Sequence, residues 1–218
     1  MKSFSENITV FESKSAGREK YSYLLKRPRG NILIANYKSS FPLKKEMDFL
    51  REAGGVSEHY LTHHDEATKN SIKISNEFRC KLRFHENDRP EVEKRTSSPL
   101  GKLFKKSGEV APGLQAIFLP GHSKGFSCYY TRIKGVGYLF AGDIFYPRNG
   151  NLNFGGLRKE CAKDFIQAIS QLERFDIDFV LSCKAVGGGS PYQIAPGKFR
   201  SWIKIFPEWV AKKYRIKN

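Results

Sequence analysis

Three short fragments of the sequence carry side chains of the types that bind metal ions. They are 62–66 (THHDE), 120–125 (PGHSKG) and 140–143 (FAGD). Two imidazoles and one or two carboxylates suit zinc, iron or manganese, and a set of two imidazoles and one carboxylate leaves coordination positions open on iron. The chemistry to expect from such residues is therefore metal-assisted.

Each fragment directly follows a run that predicts a buried strand. The runs are 57–61, 114–119 and 136–140. Loops at strand ends are the places where a rigid sheet can bring residues from distant parts of the sequence together. We therefore expect the three fragments to converge on one point.

Composition predicts a globular protein. A length of 218 residues fits one domain, 1–218, and 39% hydrophobic with 28% charged residues is typical of a chain with a substantial core. No run approaches the roughly 18 apolar residues that a membrane span needs. The N-terminus lacks the apolar segment of a signal peptide, so we expect a cytoplasmic protein with reduced cysteines.

The charge is strongly positive, because 38 Lys and Arg face 22 Asp and Glu, for a net charge of +16. Such a balance favours anionic partners by long-range attraction. No nucleic-acid-binding motif accompanies it. Nucleic acid therefore remains an alternative that rests on charge alone.

The coarse pattern alternates strands with a few helices. We expect a helix that opens at Ser40 or Phe41 with Pro42 in its first turn, and a loop with one helical turn over 86–106. The remaining predicted strands are 8–11, 21–25, 32–35, 81–85, 127–133 and 179–181, and the remaining helices are one that follows Asp65, 160–175 and 198–214. Helices between and after strands predict helices outside stacked sheets.

The order of the motifs resembles the metallo-β-lactamase fold superfamily over nearly the whole chain. The first motif is similar to that of small, divergent members, in which it reads THxD rather than THxHxDH. The resemblance implies an α/β (α+β) fold, an αββα four-layer sandwich of two mixed β-sheets flanked by helices. It also implies metal ligands on loops along one edge of the sheets.

Carried over position by position, the resemblance implies that His63, Asp65, His122 and Asp143 hold one metal ion. The Asp-His pair of a second site falls on 67–68 (AT) or 69–70 (KN), and the fourth-motif histidine is replaced by the segment 182–184 (SCK). We therefore predict at most one divalent metal, zinc or iron with manganese as a further option. Lys69 or Lys184 could supply charge in place of a second ion, or the site has decayed and binds none.

Several of these residues have alternative interpretations. Asp65 could cap the following helix, and Asp143 could act as a turn acceptor. The neighbouring candidates have structural interpretations: His59 as an exposed strand residue, His64 as a solvated side chain, His85 as a structural residue, and Cys183 as a buried thiol or a soft ligand.

The leading hypothesis is a metal-dependent hydrolase of a small anionic substrate. His63, His122 and Asp143 would hold the metal, Asp65 would be a fourth ligand or orient the attacking water, and Lys184 would stabilise developing negative charge. The first alternative is an oxidoreductase similar to persulfide dioxygenases, with mononuclear iron on the same ligands. The second is a non-catalytic pseudo-enzyme that binds an anionic partner through its basic surface.

Overall fold

Alternating side chains along the strands build two mixed β-sheets that share one core. The computed structural model describes residues 1–15, 17–36 and 44–216. The strands of the first half are β1 (Lys2–Ser3), β2 (Ile8–Ser15), β3 (Arg18–Leu25), β4 (Ile32–Ile34), β5 (Glu58–Tyr60) and β6 (Lys81–Arg83). Those that follow are β7 (Gly108–Ala111), β8 (Leu114–Phe118), β9 (Ser127–Ile133), β10 (Val136–Gly142), β11 (Phe145–Arg148), β12 (Asn151–Phe154), β13 (Phe179–Ser182), β14 (Lys184–Ala185) and β15 (Tyr192–Gln193).

The first sheet has the order β1-β2-β3-β4-β5-β6, with β14 also paired to β3. The second has the order β15-β13-β10-β9-β8-β7, and β11 and β12 form a separate hairpin. Parallel pairs (β4–β5, β5–β6 and β10–β13) occur beside antiparallel ones, so both sheets are mixed.

The helices cover the outer faces of the two sheets. Their bounds are α1 (Lys44–Glu52), α2 (Ser71–Phe78), α3 (Arg89–Arg95), α4 (Ala162–Ala168) and α5 (Lys198–Tyr214). Along β3, Tyr21 and Tyr23 point into the core between the sheets, whereas Leu24 packs on the outside with Leu50 of α1. The outer face of the second sheet packs against α4 and α5. The result is the predicted αββα sandwich.

Most predicted elements are confirmed within a few residues, and the differences lie in the connections. The predicted start of the first helix, Ser40 or Phe41, lies outside the described residues. The prediction for 86–106 is wrong in part, because α3 has two turns and follows a short 3-10 helix, Glu86–Asp88. Residues 149–150 form the turn of the β11–β12 hairpin. Over 160–175, α4 continues into a 3-10 helix, Ile169–Arg174.

Among the described residues, none of the helices combines the length and the apolar character of a membrane-spanning segment.

Candidate metal centre

His63, Asp65 and His122 lie together at one edge of the sandwich. Ligand atoms of the three side chains all lie within 4.8 Å of one another. His63 follows β5, Asp65 belongs to a one-turn 3-10 helix, His64–Glu66, and His122 lies in the loop after β8. Strand ends thus bring together residues that are more than fifty positions apart in the sequence.

The hydrogen bonds of the two imidazoles leave the same ring nitrogen free on both. His63 Nδ1 lies 2.9 Å from the hydroxyl oxygen of Thr62, which itself donates to Glu66 at 2.6 Å. His122 Nδ1 lies 2.8 Å from the Gly156 carbonyl oxygen, which can only accept. Both Nδ1 atoms are therefore donors, and each Nε2 keeps its lone pair for a ligand.

Burial keeps both rings neutral. It lowers the pKa of His63 to about 3 and also lowers the pKa of His122. Metal ions bind the unprotonated imidazole, so these rings need no deprotonation at neutral pH. The contact of His122 with Gly156 requires glycine, because a Cβ there would lie 2.8 Å from His122 Nδ1 at a φ of +77°.

Asp65 is held by an arginine that sequence analysis did not single out. Its Oδ1 lies 2.7 Å from Arg95 of α3, and its Oδ2 lies 3.8 Å from His122 Nε2. The alternative that Asp65 caps the next helix is wrong, since α2 begins at Ser71 and its N-cap residue is Asn70. One carboxylate oxygen is thus engaged by a cation, and the other faces the histidine cluster.

Asp143 lies between the histidines and two lysines. Its Oδ2 lies 3.4 Å from Lys184, 3.7 Å from Lys20 and 3.9 Å from His122 Nε2. Burial disfavours the charged carboxylate, but the charge of Lys184, with smaller effects of neighbouring groups, outweighs it and lowers the pKa to about 2. Its Oδ1 is buried and has no hydrogen-bond partner among the described residues, which argues against a role as a turn acceptor.

The lysine beside the centre is Lys184 rather than Lys69. Lys184 and Lys20 are register partners on β14 and β3, and Lys184 also lies 4.8 Å from the ring centroid of Tyr146. Lys69 is exposed. Lys20 was missed because nothing in its local sequence marks it; only the pairing of β14 with β3 brings it to Asp143.

The buried carboxyl group of Glu66 stabilises the first motif through hydrogen bonds. It accepts hydrogen bonds from the backbone nitrogen and hydroxyl of Thr62 and from the thiol of Cys183, which lies 3.1 Å away. Burial raises the pKa of Glu66 to about 8. Cys183 is therefore a buried thiol with a structural partner.

Two interpretations of neighbouring histidines are wrong. His59 is fully buried, not exposed, because β5 is an inner strand of its sheet and both of its faces are covered. His64 is also buried, and its backbone nitrogen donates to Asp88. His85 is structural as expected: it stacks on Phe118 at 3.8 Å between ring centroids.

The donor set fits one divalent cation. It offers two neutral imidazoles and the carboxylate of Asp65, with Asp143 beside them. The unpartnered Oδ1 of Asp143 is the kind of buried polar atom that a bound cation would satisfy. In the part of the chain that the structure describes, no second cluster of this kind is present.

Comparison with known proteins gives a structural likeness and no sequence match. No family model and no curated protein matches the chain. The structure is similar to a metallo-beta-lactamase with a HARLDQ motif from Cronobacter sakazakii, at 12% identity and a TM-score of 0.66 over 99% of this chain and 98% of that one. It is also similar to BJP-1, a subclass B3 metallo-beta-lactamase of Bradyrhizobium japonicum, at 18% identity and a TM-score of 0.63 over 90% and 88% of the two chains.

A third similar structure is the FEZ-1 metallo-beta-lactamase from Legionella gormanii, at 18% identity and a TM-score of 0.63, covering 92% of this chain and 95% of that one. At such identities the likeness concerns the fold alone. Nearly full coverage in both directions agrees with the two mixed sheets and the outer helices. The chain has the metallo-β-lactamase fold.

Proposed function

We propose that the protein is a metal-dependent hydrolase of a small anionic substrate, with at most one metal ion. The observation that carries the proposal is the convergence of His63, Asp65 and His122, with both Nε2 lone pairs free. These three side chains would hold the ion, and Asp143 would be the fourth ligand. When bound, a zinc ion would supply a nucleophile by lowering the pKa of a coordinated water to about 7.

The proposal of a single ion rests on the residues at the second-site positions. Neither 67–68 (AT) nor 69–70 (KN) supplies an Asp-His pair, and Lys184 stands close to where a further histidine would be needed. Its ammonium group lies 3.4 Å from Asp143 Oδ2. A fixed positive charge at this place supports the role of stabilising negative charge on the substrate as the bond breaks.

Asp65 has an alternative proposed task, which is to orient the attacking water instead of binding the ion. Its Oδ1 is anchored by Arg95, so its Oδ2 keeps one orientation beside His122. A carboxylate held in this way can orient an attacking water through a hydrogen bond. Because the Asp65 side chain is 42% exposed, it can reach a solvent molecule that the buried His63 cannot.

The test is the metal content of the full chain purified without chelator. We expect about one zinc, iron or manganese ion per chain, lost in a His63→Ala, His122→Ala double variant. A His85→Gln variant is the control, because His85 is a structural histidine that lies after β6 and outside the cluster. Circular dichroism would check that each variant is folded. A wild-type protein that takes up none of these ions would contradict the proposal.

The two-histidine, one-carboxylate composition of the cluster also suits iron, so a second reaction is tested with the same samples. Bound iron together with oxygen consumption on a persulfide would identify the oxidoreductase alternative. Hydrolysis of ester, thioester or lactam compounds by the metal-loaded protein would support the hydrolase. Retention of no metal, with salt-sensitive binding to an anionic partner, would identify a pseudo-enzyme.

The described cysteines, Cys80, Cys128, Cys161 and Cys183, are all free thiols. Free thiols are usual in a reducing compartment. They support our proposal that the protein works in the cytoplasm.

A further inference from the structure

A cavity of about 500 Å³ opens beside Asp143, on the side of the two lysines. Its described lining contains four cationic side chains and one carboxylate. The charged lining residues are Arg18, Lys20, Arg148, Lys184 and Asp143. Four positive charges against one negative charge leave an excess of three positive charges in a space of small-molecule size.

Strand pairing, rather than flexible loops, positions these cations. Arg18 and Lys20 are two residues apart on β3 and therefore share one face of the sheet. Lys184 is the register partner of Lys20. Arg148, at the end of β11, forms a parallel bridge with Val186, where the Val186 nitrogen donates to the Pro147 carbonyl at 3.0 Å.

The two lysines and the two arginines differ in what they face. Lys20 and Lys184 both approach Asp143 Oδ2 and together compensate its charge. Arg18 and Arg148 are exposed at the rim, and neither forms an ion pair with a residue of the described ranges. Their guanidinium groups are therefore available to an anion from solution.

We propose that this cavity binds the phosphate group of a small phosphate monoester. A phosphate dianion compensates most of the excess charge, which a single carboxylate would not. Arginine presents paired N–H donors that match the geometry of phosphate oxygens. Tyr146, which lines the cavity under Lys184, offers a flat wall for the organic part of the ligand.

The position of the cavity gives the phosphate an anchoring role. Asp143 lines it, and Asp143 Oδ2 lies 3.9 Å from His122 Nε2, so the cavity adjoins the candidate metal centre. A substrate held by its phosphate at the arginine rim would present its other end to His63 and His122. This inference deepens the proposed function and rests on it for the reaction that follows binding.

The experiment is isothermal titration of the full chain with inorganic phosphate and with glycerol 3-phosphate, in chelator and at constant ionic strength. We expect saturable binding that an Arg18→Ala, Arg148→Ala double variant weakens by about tenfold or more. The matched control is an Arg29→Ala, Lys44→Ala double variant, which removes the same charge at two exposed positions outside the cavity lining. We expect this control to bind like wild type.

The possible results separate the subsite from the metal centre. Three results would each overturn the phosphate subsite. They are the absence of saturable phosphate binding, equal weakening of phosphate binding in both double variants, and binding of acetate as tight as that of phosphate. Because the titration excludes metal, the His63→Ala, His122→Ala variant should bind phosphate like wild type. Phosphate binding in a protein that takes up no metal would preserve the subsite and remove only the hydrolase.

Discussion

Asp88 accepts a hydrogen bond from the hydroxyl of Ser123 at 2.6 Å, which ties the start of α3 to the loop that carries His122. The same carboxylate accepts from the backbone nitrogens of Gly125 at 2.8 Å and His64 at 3.0 Å. A Cβ on Gly125 would lie 2.7 Å from the Asp88 carboxyl carbon, so this approach needs glycine. One buried side chain therefore holds both histidine motifs in place.

Replacing Asp88 by asparagine should destabilise the protein although its shape is nearly kept. The amide presents donors to groups that are themselves donors, so at least one buried N–H or O–H loses its partner. We expect the free energy of unfolding to fall by about 2–3 kcal/mol, measured by urea denaturation. Ser123→Ala removes one of these hydrogen bonds and should cost less, about 1–2 kcal/mol. An Asp88→Asn protein as stable as wild type would contradict this role.

The contribution of Asp88 to the free energy of unfolding should decrease as the pH falls. Burial opposes ionisation, but the hydrogen bonds of the carboxylate, those of His64 and Ser123 foremost, outweigh it and lower its pKa below the usual 3.8. A carboxylate whose pKa is lower in the folded state stabilises the fold above its unfolded pKa, and this contribution is lost as the pH falls. The stability difference between wild type and Asp88→Asn should be constant above about pH 5 and shrink below about pH 4. Urea denaturation across this range checks it, and a difference that grows on acidification would show the opposite sign.

Much of the fold could be predicted because many of its strands have a recognisable local sequence pattern. The runs 21–25, 127–133 and 136–140 are apolar, bounded by turn residues, and form β3, β9 and β10. The motif residues His63 and His122 were identifiable because each follows such a run. Local sequence was sufficient to predict an element wherever that element packs against a neighbour along the chain, as β9 and β10 do.

The residues that support the candidate ligands were not predictable, because they contact those ligands from distant parts of the sequence. Arg95 reaches Asp65 only because α3 forms in a segment whose polar composition favours a loop. Lys20 reaches Asp143 only because β14 pairs with β3, more than 150 residues earlier in the chain. The backbone nitrogen of His64 likewise donates to Asp88, which no local pattern connects to the first motif.

The ion pair between Arg95 and Asp65 should matter for metal binding more than for stability. Both side chains are 42% exposed, so losing the pair should change the free energy of unfolding by less than about 1 kcal/mol. Groups that orient a ligand typically contribute about 10-fold or more to metal affinity. We therefore expect Arg95→Ala to weaken zinc binding by about tenfold, measured by competition with a chromophoric chelator.

Arg89 provides the matched control for this prediction. It is an exposed arginine of the same helix, and it forms a comparable ion pair with Glu93 at 2.8 Å. Arg89→Ala should leave the zinc affinity unchanged, and Arg95→Lys should restore part of it. Equal weakening by Arg89→Ala and Arg95→Ala would mean that general surface charge, rather than the orientation of Asp65, is responsible.

Lys184 and Asp143 should be energetically coupled in the metal-free protein. The two charges lie 3.4 Å apart and are largely buried, so Lys184→Met leaves the carboxylate with Lys20 as its remaining lysine partner. We expect a loss of about 1–2 kcal/mol in chelator, well below the cost of an isolated buried charge because Lys20 remains.

The coupling is measured by a double-mutant cycle with Asp143→Asn. In the Lys184→Met background the carboxylate lacks its nearest counter-ion, so its neutralisation should cost at least about 1 kcal/mol less than in wild type. Lys134→Met serves as the control, because Lys134 pairs with Glu6 where both side chains are 74% exposed, and it should have no measurable effect. Strict additivity of Lys184→Met and Asp143→Asn would mean that Lys184 does not interact with Asp143. Lys20 would then be the lysine that compensates the charge of Asp143 beside the histidines.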